Sequence, residues 1–468
     1  MSNLFSDATD REIEATLLNA KKCFNTFRKL KGSSRAKFLN EIIKELNKSR
    51  KRIISVAQSE TSLGQNRLEM EFTRTVGEIK IFANLAITDT WRKVSIQNAS
   101  LETCQPRLHT ENIALGPVLV IGACNFPLAI SVVGTDTISA LAVGCPVIIK
   151  AHPSHPQTCQ LLAQLVQRAM AELKIPEGVF QLIHGESHTV TQKLVTHHNI
   201  ACIAFTGSLT GGTTLSRIVS KRKKLIPFHA EMGSLNPVIA LPTKIFQNHQ
   251  KLAFEYVQSV NLFAGQMCTK PGVLFLLKSS KNESFISAVR EAVSQQNALP
   301  MLNEDVFMNY ENGIDFLKKE LTLIATNETE NQESQNLGYC RIFETSSIYF
   351  LQHQELTVET FGPASIIVHC QDEKELNKCV NNLQGSLTGS IFVADEDRLV
   401  ARNIIPKLES TVGRLLWNGF PPGVTPGIAT QHGGPWPATT DSRHTSIGRE
   451  AYRRFVRPVC RQGFPVKN

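Results

Sequence analysis

Apolar and polar positions change their rhythm twice along the chain. From about residue 9 to 90 the apolar residues recur every three or four positions, as in "ATLLNAKKCFNTFRKL" and "AKFLNEIIKELNKSRKRIISVAQ". That spacing predicts three amphipathic helices. After "ENIALG" the texture becomes short apolar runs alternating with helical stretches. "PVLVIGA", "CPVIIK", "VFQLIHG" and "IACIAFTGS" read as buried strands, and "LIPFH" as another short one. "DTISALAVG", "QTCQLLAQLVQRAMAEL" and "HTVTQKLVTH" read as the helices between them. Strand–helix alternation of this kind predicts βαβ units and a doubly wound parallel sheet, with ligands at the carboxyl ends of the strands. A second alternating region follows residue 268 and runs to about 416, with "KPGVLFLLK", "SIIVHC" and "GSIFVADE" as strands. "NETENQESQN", from Asn327 to Asn336, reads as a polar surface loop, and residues 418–448 are rich in Gly and Pro.

A chain of 468 residues predicts two or three domains. No apolar run reaches membrane-spanning length. The first residues, "MSNLFSDATDREIEATLL", lack a basic-then-apolar signal pattern. Eleven cysteines, odd in number and without CxxC pairs, argue against a disulfide framework or a zinc site and for a reducing cytoplasm. The net charge of +9 raises the question of a nucleic-acid partner. However, the basic runs "SKRKKL" and "NKSRKR" carry no interleaved aromatics and read as solvated helix ends. The field would suit an anionic substrate and a phosphate-bearing cofactor.

Chemistry-bearing residues cluster where a doubly wound sheet places function: "GACNFP", "KAHPSHP", "FTGSLTGG" and "AEMGSLNP" each follow a strand. No GxGxxG fingerprint is present. Gly207, Ser208, Gly211 and Gly212 could present backbone amides to a phosphate or form a plain glycine turn. Cys268, in "FAGQMCTKPG", is either a packed small residue or a nucleophile, and its local stretch does not decide.

In order and strand context, "GPVLVIGACNFP", "CPVIIKAHPSHP", "FTGSLTGG", "HAEMGSLNP", "GQMCT", "ETFGP" and "NGFPPGV" resemble the aldehyde dehydrogenase superfamily, over roughly residues 10 to 465. "KAHPSHP", "AEMGSLNP" and "GGPWPATTDSRHTSIG" are similar to the branch that holds 2,5-dioxopentanoate (α-ketoglutarate semialdehyde) dehydrogenases and an NADP-using bacterial fatty-aldehyde enzyme. The resemblance implies an α/β fold: a Rossmann-type cofactor domain over 1–232, an α/β catalytic domain over 233–416, and a return segment and tail over 417–468. Segments near 93–115 and 449–468 would form an oligomerisation arm in a homodimer or homotetramer.

The resemblance also implies roles. Cys268 would attack the aldehyde carbon to give a thiohemiacetal and then a thioester, chemistry that wants a thiolate. Asn125 would donate to the oxyanion. Glu231, thirty-seven residues before the nucleophile, would activate water for deacylation. Lys150 would bind the adenosine ribose, with His152 beside it and Gly207, Ser208 and Gly212 under the phosphates. Glu359 would hold the nicotinamide ribose, with Phe361 at the ring. Many NAD-preferring relatives carry a glutamate three residues after this lysine. Pro153 stands there instead, which removes a repulsion toward a 2′-phosphate and predicts NADP, with NAD as the other option. A carboxylate on the substrate would need a cation, and Arg74, Lys270 and Arg443 are the candidates. Relatives often read RTxxQL at the first of these, where this chain has Glu78. The sequence thus predicts a cytoplasmic enzyme acting on a small aldehyde, with no metal, nucleic acid or membrane partner. A medium- or long-chain aliphatic aldehyde is the alternative substrate, and a cysteine thioesterase or esterase the alternative activity.

Overall fold

The computed structural model describes residues 5–100, 105–328, 336–421 and 423–465. Most of the expected polar loop, residues 329–335, therefore lies outside the described residues, as do Cys104, Pro422 of "NGFPPGV" and the last residues of the tail.

Four helices rather than three precede the first sheet: Asp10–Phe27, Gly32–Lys48, Arg50–Thr61 and Gln65–Thr88. The long pattern predicted as one helix breaks at Ser49, whose φ −104°, ψ 7° backbone ends one helix as Arg50 starts the next. The apolar rhythm passes through the break because both helices bury their faces in the same core.

The first sheet orders its strands Phe180–Ile183, Val147–Lys150, Val118–Ile121, Cys202–Thr206, Phe228–Glu231, all parallel. The central strand Val118–Ile121 is apolar throughout because both faces are covered, and Lys150, Thr206 and Glu231 stand at the carboxyl ends of other strands in the sheet. Val118, Val120, Val147 and Ile149 pack toward the second to fourth helices. Their neighbours Leu119, Ile121 and Ile148 pack toward the first helix and toward helices His188–Thr196 and Leu209–Ser220. This is the period-2 alternation of a strand filling two cores at once. The order reverses at Val118–Ile121, so a crevice opens beyond its carboxyl end and that of Cys202–Thr206.

The second sheet has seven strands: Thr322–Thr326, Arg341–Ser346, Ala364–Cys370, Val273–Leu277, Pro237–Ala240, Ser386–Phe392 and Val412–Trp417. Only the edge strand Thr322–Thr326 is antiparallel. Here too alternate residues serve two cores, with Val273 and Phe275 on one face and Leu274 and Leu276 on the other. The chain changes sheets between Glu231 and Pro237.

A third sheet joins Ser95–Gln97 and Leu108–Ala114 to Val456–Gln462. It is anchored to the first sheet by the buried Arg454–Asp136 ion pair and by the Cys145 and Cys202 thiols, which donate to the carbonyls of Phe455 and Arg454. Among the described residues no helix is long and apolar enough to cross a membrane.

Candidate active site

The carboxyl ends of the five-stranded sheet meet the loops at the amino ends of the seven-stranded one. From the first side come Asn125, four residues beyond Ile121, and Glu231, the last residue of its strand. From the second come Cys268, ahead of Val273–Leu277, and Glu359, ahead of Ala364–Cys370.

Residues 263–268 lead to Cys268 through a tight turn in which Phe263, Ala264 and Gly265 all have positive φ. Asn236 fixes the end of this loop. Its Nδ2 donates to the carbonyls of Cys268 (2.9 Å), Lys270 (3.0 Å) and Ser234 (3.1 Å). Asn125 is buried, and its Nδ2 donates to the carbonyl of Gln266 at 3.1 Å. That brings the amide to the nucleophile's own loop and leaves its second N–H for an oxyanion. Beneath it the buried Arg67, sandwiched between Phe126 and Phe263, donates to the carbonyl of Asn125.

A residue the sequence reading missed completes the centre. His432 is fully buried, and its Nε2 lies 3.4 Å from Cys268 Sγ and 2.9 Å from Glu231 Oε1. Ser446 Oγ donates to the other oxygen of Glu231. Both come from the Gly/Pro-rich segment, which runs antiparallel across the end of Phe228–Glu231. Met232 N donates to Ala438 O at 2.8 Å, and Thr440 N to Ala230 O at 3.1 Å. Packing holds the segment in place: a Cβ on Gly413 would fall 1.8 Å from Gly433 O. The stretch around His432 is therefore a packed loop and not a lid.

Burial alone would neutralise the imidazole. The carboxylate of Glu231 and the sulfur of Cys268 overcome it and raise the His432 pKa to about 10. Burial likewise pushes Glu231 upward, but His432, the Ser446 hydroxyl and Arg454 bring it below its ordinary value. The resting state that follows is a carboxylate–imidazolium pair with Nε2–H shared between oxygen and sulfur.

The cofactor candidates occupy the same crevice. Lys150 ends its strand, and burial lowers its pKa. His152, also depressed by burial, stacks on His155 with ring centroids 5.2 Å apart. Ser208 caps helix Leu209–Ser220 by accepting from Gly211 N at 3.1 Å. A Cβ on Gly212 would lie 2.3 Å from Met232 Sδ, and one on Gly207 would lie 2.7 Å from the Phe205 ring, so packing already demands both glycines. Phe361 is half-buried two residues beyond Glu359. Glu359 accepts from Ser234 N at 3.1 Å through one oxygen, while its other oxygen is buried and unpartnered. Burial raises its pKa to about 7 against the pull of Lys270. A carboxylate with one orphaned oxygen suits a hydroxyl-bearing ligand such as a ribose. Glu60 reaches across to accept from the backbone N–H of Gln157 and Thr158, at the start of helix Pro156–Glu172.

Of the three cations proposed for a substrate carboxylate, two are committed elsewhere. Lys270 is buried and donates to the carbonyls of Thr360 (3.0 Å) and Ala364 (2.8 Å). Its ammonium braces the loop around Glu359 and is not offered to a ligand. Arg443 is a surface residue whose guanidinium grips Asp441 at 2.9 and 2.7 Å. Arg74 alone lines a cavity, of about 650 Å³, together with Arg50, Met70, Ile81 and Val424. Arg74 is paired with Glu78 at 2.9 Å, and Arg50 with Glu69, so the glutamate at position 78 tempers the charge Arg74 presents.

Where the two α/β units meet, a half-buried cysteine thus lies beside a buried histidine and carboxylate, on a loop that also receives an asparagine amide. The comparisons identify the family. The sequence profile of the Aldehyde dehydrogenase family matches residues 3–436, and the chain belongs to that family of aldehyde-oxidising enzymes. It is 37% identical over 467 residues to alpha-ketoglutaric semialdehyde dehydrogenase 2 of Azospirillum brasilense, covering 99% of this chain and 89% of that protein. It is 37% identical over 470 residues to alpha-ketoglutaric semialdehyde dehydrogenase of Acinetobacter baylyi, covering 98% and 88%. Among solved structures, betaine aldehyde dehydrogenase of Staphylococcus aureus, determined with NAD+, shares the fold. Its TM-score is 0.83 at 18% identity, covering 99% of this chain and 90% of that one.

Proposed function

We propose that the chain oxidises 2,5-dioxopentanoate to the corresponding dicarboxylic 2-oxo acid, using NADP in preference to NAD. The substrate reading rests on the two relatives named for it at 37% identity. The single observation that carries the chemistry is His432 Nε2 placed between Cys268 Sγ and Glu231 Oε1.

The sulfur of Cys268, 3.4 Å from His432 Nε2, is the attacking atom. Attack on the aldehyde carbon moves charge onto the carbonyl oxygen, which the free N–H of Asn125 meets, beside the backbone N–H of Cys268. One such donor is worth about two to three orders of magnitude in rate. Lys150, Ser208, Glu359 and Phe361 would hold the nucleotide, and the orphaned Glu359 oxygen fits its ribose. When bound, the nucleotide supplies the acceptor for the hydrogen that the thiohemiacetal gives up. Hydrolysis of the thioester then needs a base. Both oxygens of Glu231 are engaged by His432 and Ser446, so Glu231 takes a proton from water only by releasing one of them. Once the sulfur is acylated it no longer competes for the Nε2–H of His432, which then rests on Glu231 Oε1, and Glu231 meets water through the oxygen that Ser446 gives up.

Arg74, in the cavity, is the cation for the substrate's carboxylate. Domain limits of 1–232, 233–416 and 417–468, with pairing of two or four copies through the arm sheet, complete the reading. A second reading, hydrolysis of esters or thioesters without oxidation, draws on the same three residues, although Cys268 and Glu231 both face Nε2 of His432 and not opposite ring nitrogens as in a triad. Steady-state assays of reduced-nicotinamide absorbance with 2,5-dioxopentanoate, a medium-chain aldehyde, NADP and NAD decide among these. The expected outcome is the highest kcat/KM with 2,5-dioxopentanoate and NADP, and none for Cys268→Ser. Ester hydrolysis with no nucleotide reduction for any aldehyde would establish the second reading.

A further inference from the structure

We propose that Glu231, Cys268 and His432 form a binding site for a divalent borderline-soft cation of the Zn²⁺ class, whose occupancy shuts the enzyme off reversibly. This goes beyond the aldehyde-oxidising reading and rests on the same centre.

The three donor atoms, a carboxylate oxygen, Cys268 Sγ and a His432 ring nitrogen, all lie within 4.8 Å of one another. Sulfur, imidazole nitrogen and carboxylate oxygen are the ligand types Zn²⁺ takes, and three protein ligands with a fourth position open is a common zinc arrangement. With ordinary zinc bond lengths a tetrahedral angle would set sulfur and nitrogen about 3.5 Å apart, and nitrogen and oxygen about 3.4 Å apart. The sulfur–nitrogen separation of 3.4 Å is already in that range. The nitrogen–oxygen separation of 2.9 Å needs to open by about half an ångström. Glu231 and His432 are both buried, so the ligands are held by the fold. Ser446 donates to the carboxylate oxygen that His432 does not use, which leaves Oε1 for the metal and orients it.

The protons balance simply. The cation takes the place of the proton on His432 Nε2 and of any proton on Cys268, and releases both to solvent. No redox change occurs, and affinity rises with pH. Coordination draws charge from the sulfur, crowds the approach to it and occupies Glu231 and His432 as well, so attack on an aldehyde carbon is suppressed. His432 Nδ1 is buried without a hydrogen-bond partner among the described residues. The ring therefore lacks the orienting acceptor that permanent zinc sites usually supply, and the geometry points to an exchangeable inhibitory ion. Hard cations such as Mg²⁺, which need oxygen cages, do not fit. A second cluster, His229–Asp441–His444, has similar spacing, but Arg443 already grips both oxygens of Asp441.

The test uses the full chain stripped with a chelator, without aldehyde or nucleotide, so that its failure is separate from failure of the oxidation assay. Co²⁺ is titrated under argon while the thiolate-to-cobalt charge-transfer band is followed, and Zn²⁺ is then used to displace it. One equivalent is expected. Zn²⁺ but not Mg²⁺ should also slow alkylation of Cys268, a measurement that needs no variant. His432→Asn should weaken binding by at least the tenfold to about hundredfold that loss of a supporting partner costs. His444→Asn should bind as the parent does. Absence of the charge-transfer band, parental affinity in His432→Asn, alkylation unaffected by Zn²⁺, or loss of binding in His444→Asn would each overturn the proposal.

Discussion

The side-chain amide of Asn236 donates to the backbone carbonyl of Cys268 at 2.9 Å, so the loop that carries this cysteine is pinned from the strand-joining segment before Pro237. Asn236 is fully buried, and it also accepts from Ser234 Oγ, Thr388 N and Thr388 Oγ1. It does so at φ +53°, a backbone region asparagine tolerates better than most residues. Asn236→Ala strands several buried polar groups at about 1–3 kcal/mol each. A loss of about 3–5 kcal/mol in urea unfolding is expected. Asn236→Asp is expected to cost at least as much, because its carboxylate would face three carbonyls.

The Glu231–His432 pair gives stability a defined pH window. His432 has its pKa raised from 6.5 to about 10, so its contribution is complete below 6.5 and is lost as pH rises toward 10. Glu231 is lowered from 4.5, so its contribution is present above 4.5 and is lost as pH falls through its folded value. The parent should therefore resist thermal unfolding best between about pH 4.5 and 6.5, where both contributions are present. His432→Gln should flatten the alkaline limb. Equal alkaline slopes for parent and variant would contradict the pairing.

Lys270 tests the reassignment of a cation from substrate binding to bracing. Lys270→Met removes two hydrogen bonds to buried carbonyls, and a cost of about 1–3 kcal/mol follows. Its folded pKa of about 8 lies below the usual 10.5, so the contribution of Lys270 alone rises between pH 8 and 10.5, where the unfolded chain still holds the proton the folded chain has lost, partly offsetting the loss at His432. The variant should lose that rise. KM for an acidic aldehyde should stay put, and a large increase would return Lys270 to the substrate.

Gly265 has φ +64°, and a Cβ there would fall 2.2 Å from the carbonyl carbon of Gly362. Gly265→Ala thus adds backbone strain and a collision between the loops carrying Cys268 and Glu359. About 3 kcal/mol of destabilisation is expected from the two terms. kcat and the nucleotide KM should both worsen. Parental kinetics in a well-folded Gly265→Ala protein would show that the loops are not coupled there.

The core of this fold was legible because its strands are buried on both faces. Val118–Ile121 and Val147–Lys150 are continuous apolar runs bounded by Gly and Pro, and such runs announce themselves. Ser49 was not legible as a helix boundary, since no proline or glycine marks it and the apolar spacing continues. Lys270 shows the limit of proximity in sequence: two residues from the nucleophile, its ammonium turns away into backbone carbonyls. His432 and Ser446 lie in a segment without periodicity, and they reach Glu231 from 201 and 215 positions away. The only hint was a lone histidine beside two glycines whose neighbours tolerate no side chain.

The separation between Glu231 and His432 has a consequence for synthesis. A ribosome finishes both strands flanking Cys268 long before it makes the imidazole, so a nascent chain carries its thiol without its charged neighbour. The reactive sulfur acquires that neighbour only when the returning segment docks, after every element that must surround it has been translated. Pairing of Glu231 with His432 is thus among the last contacts the growing chain can make.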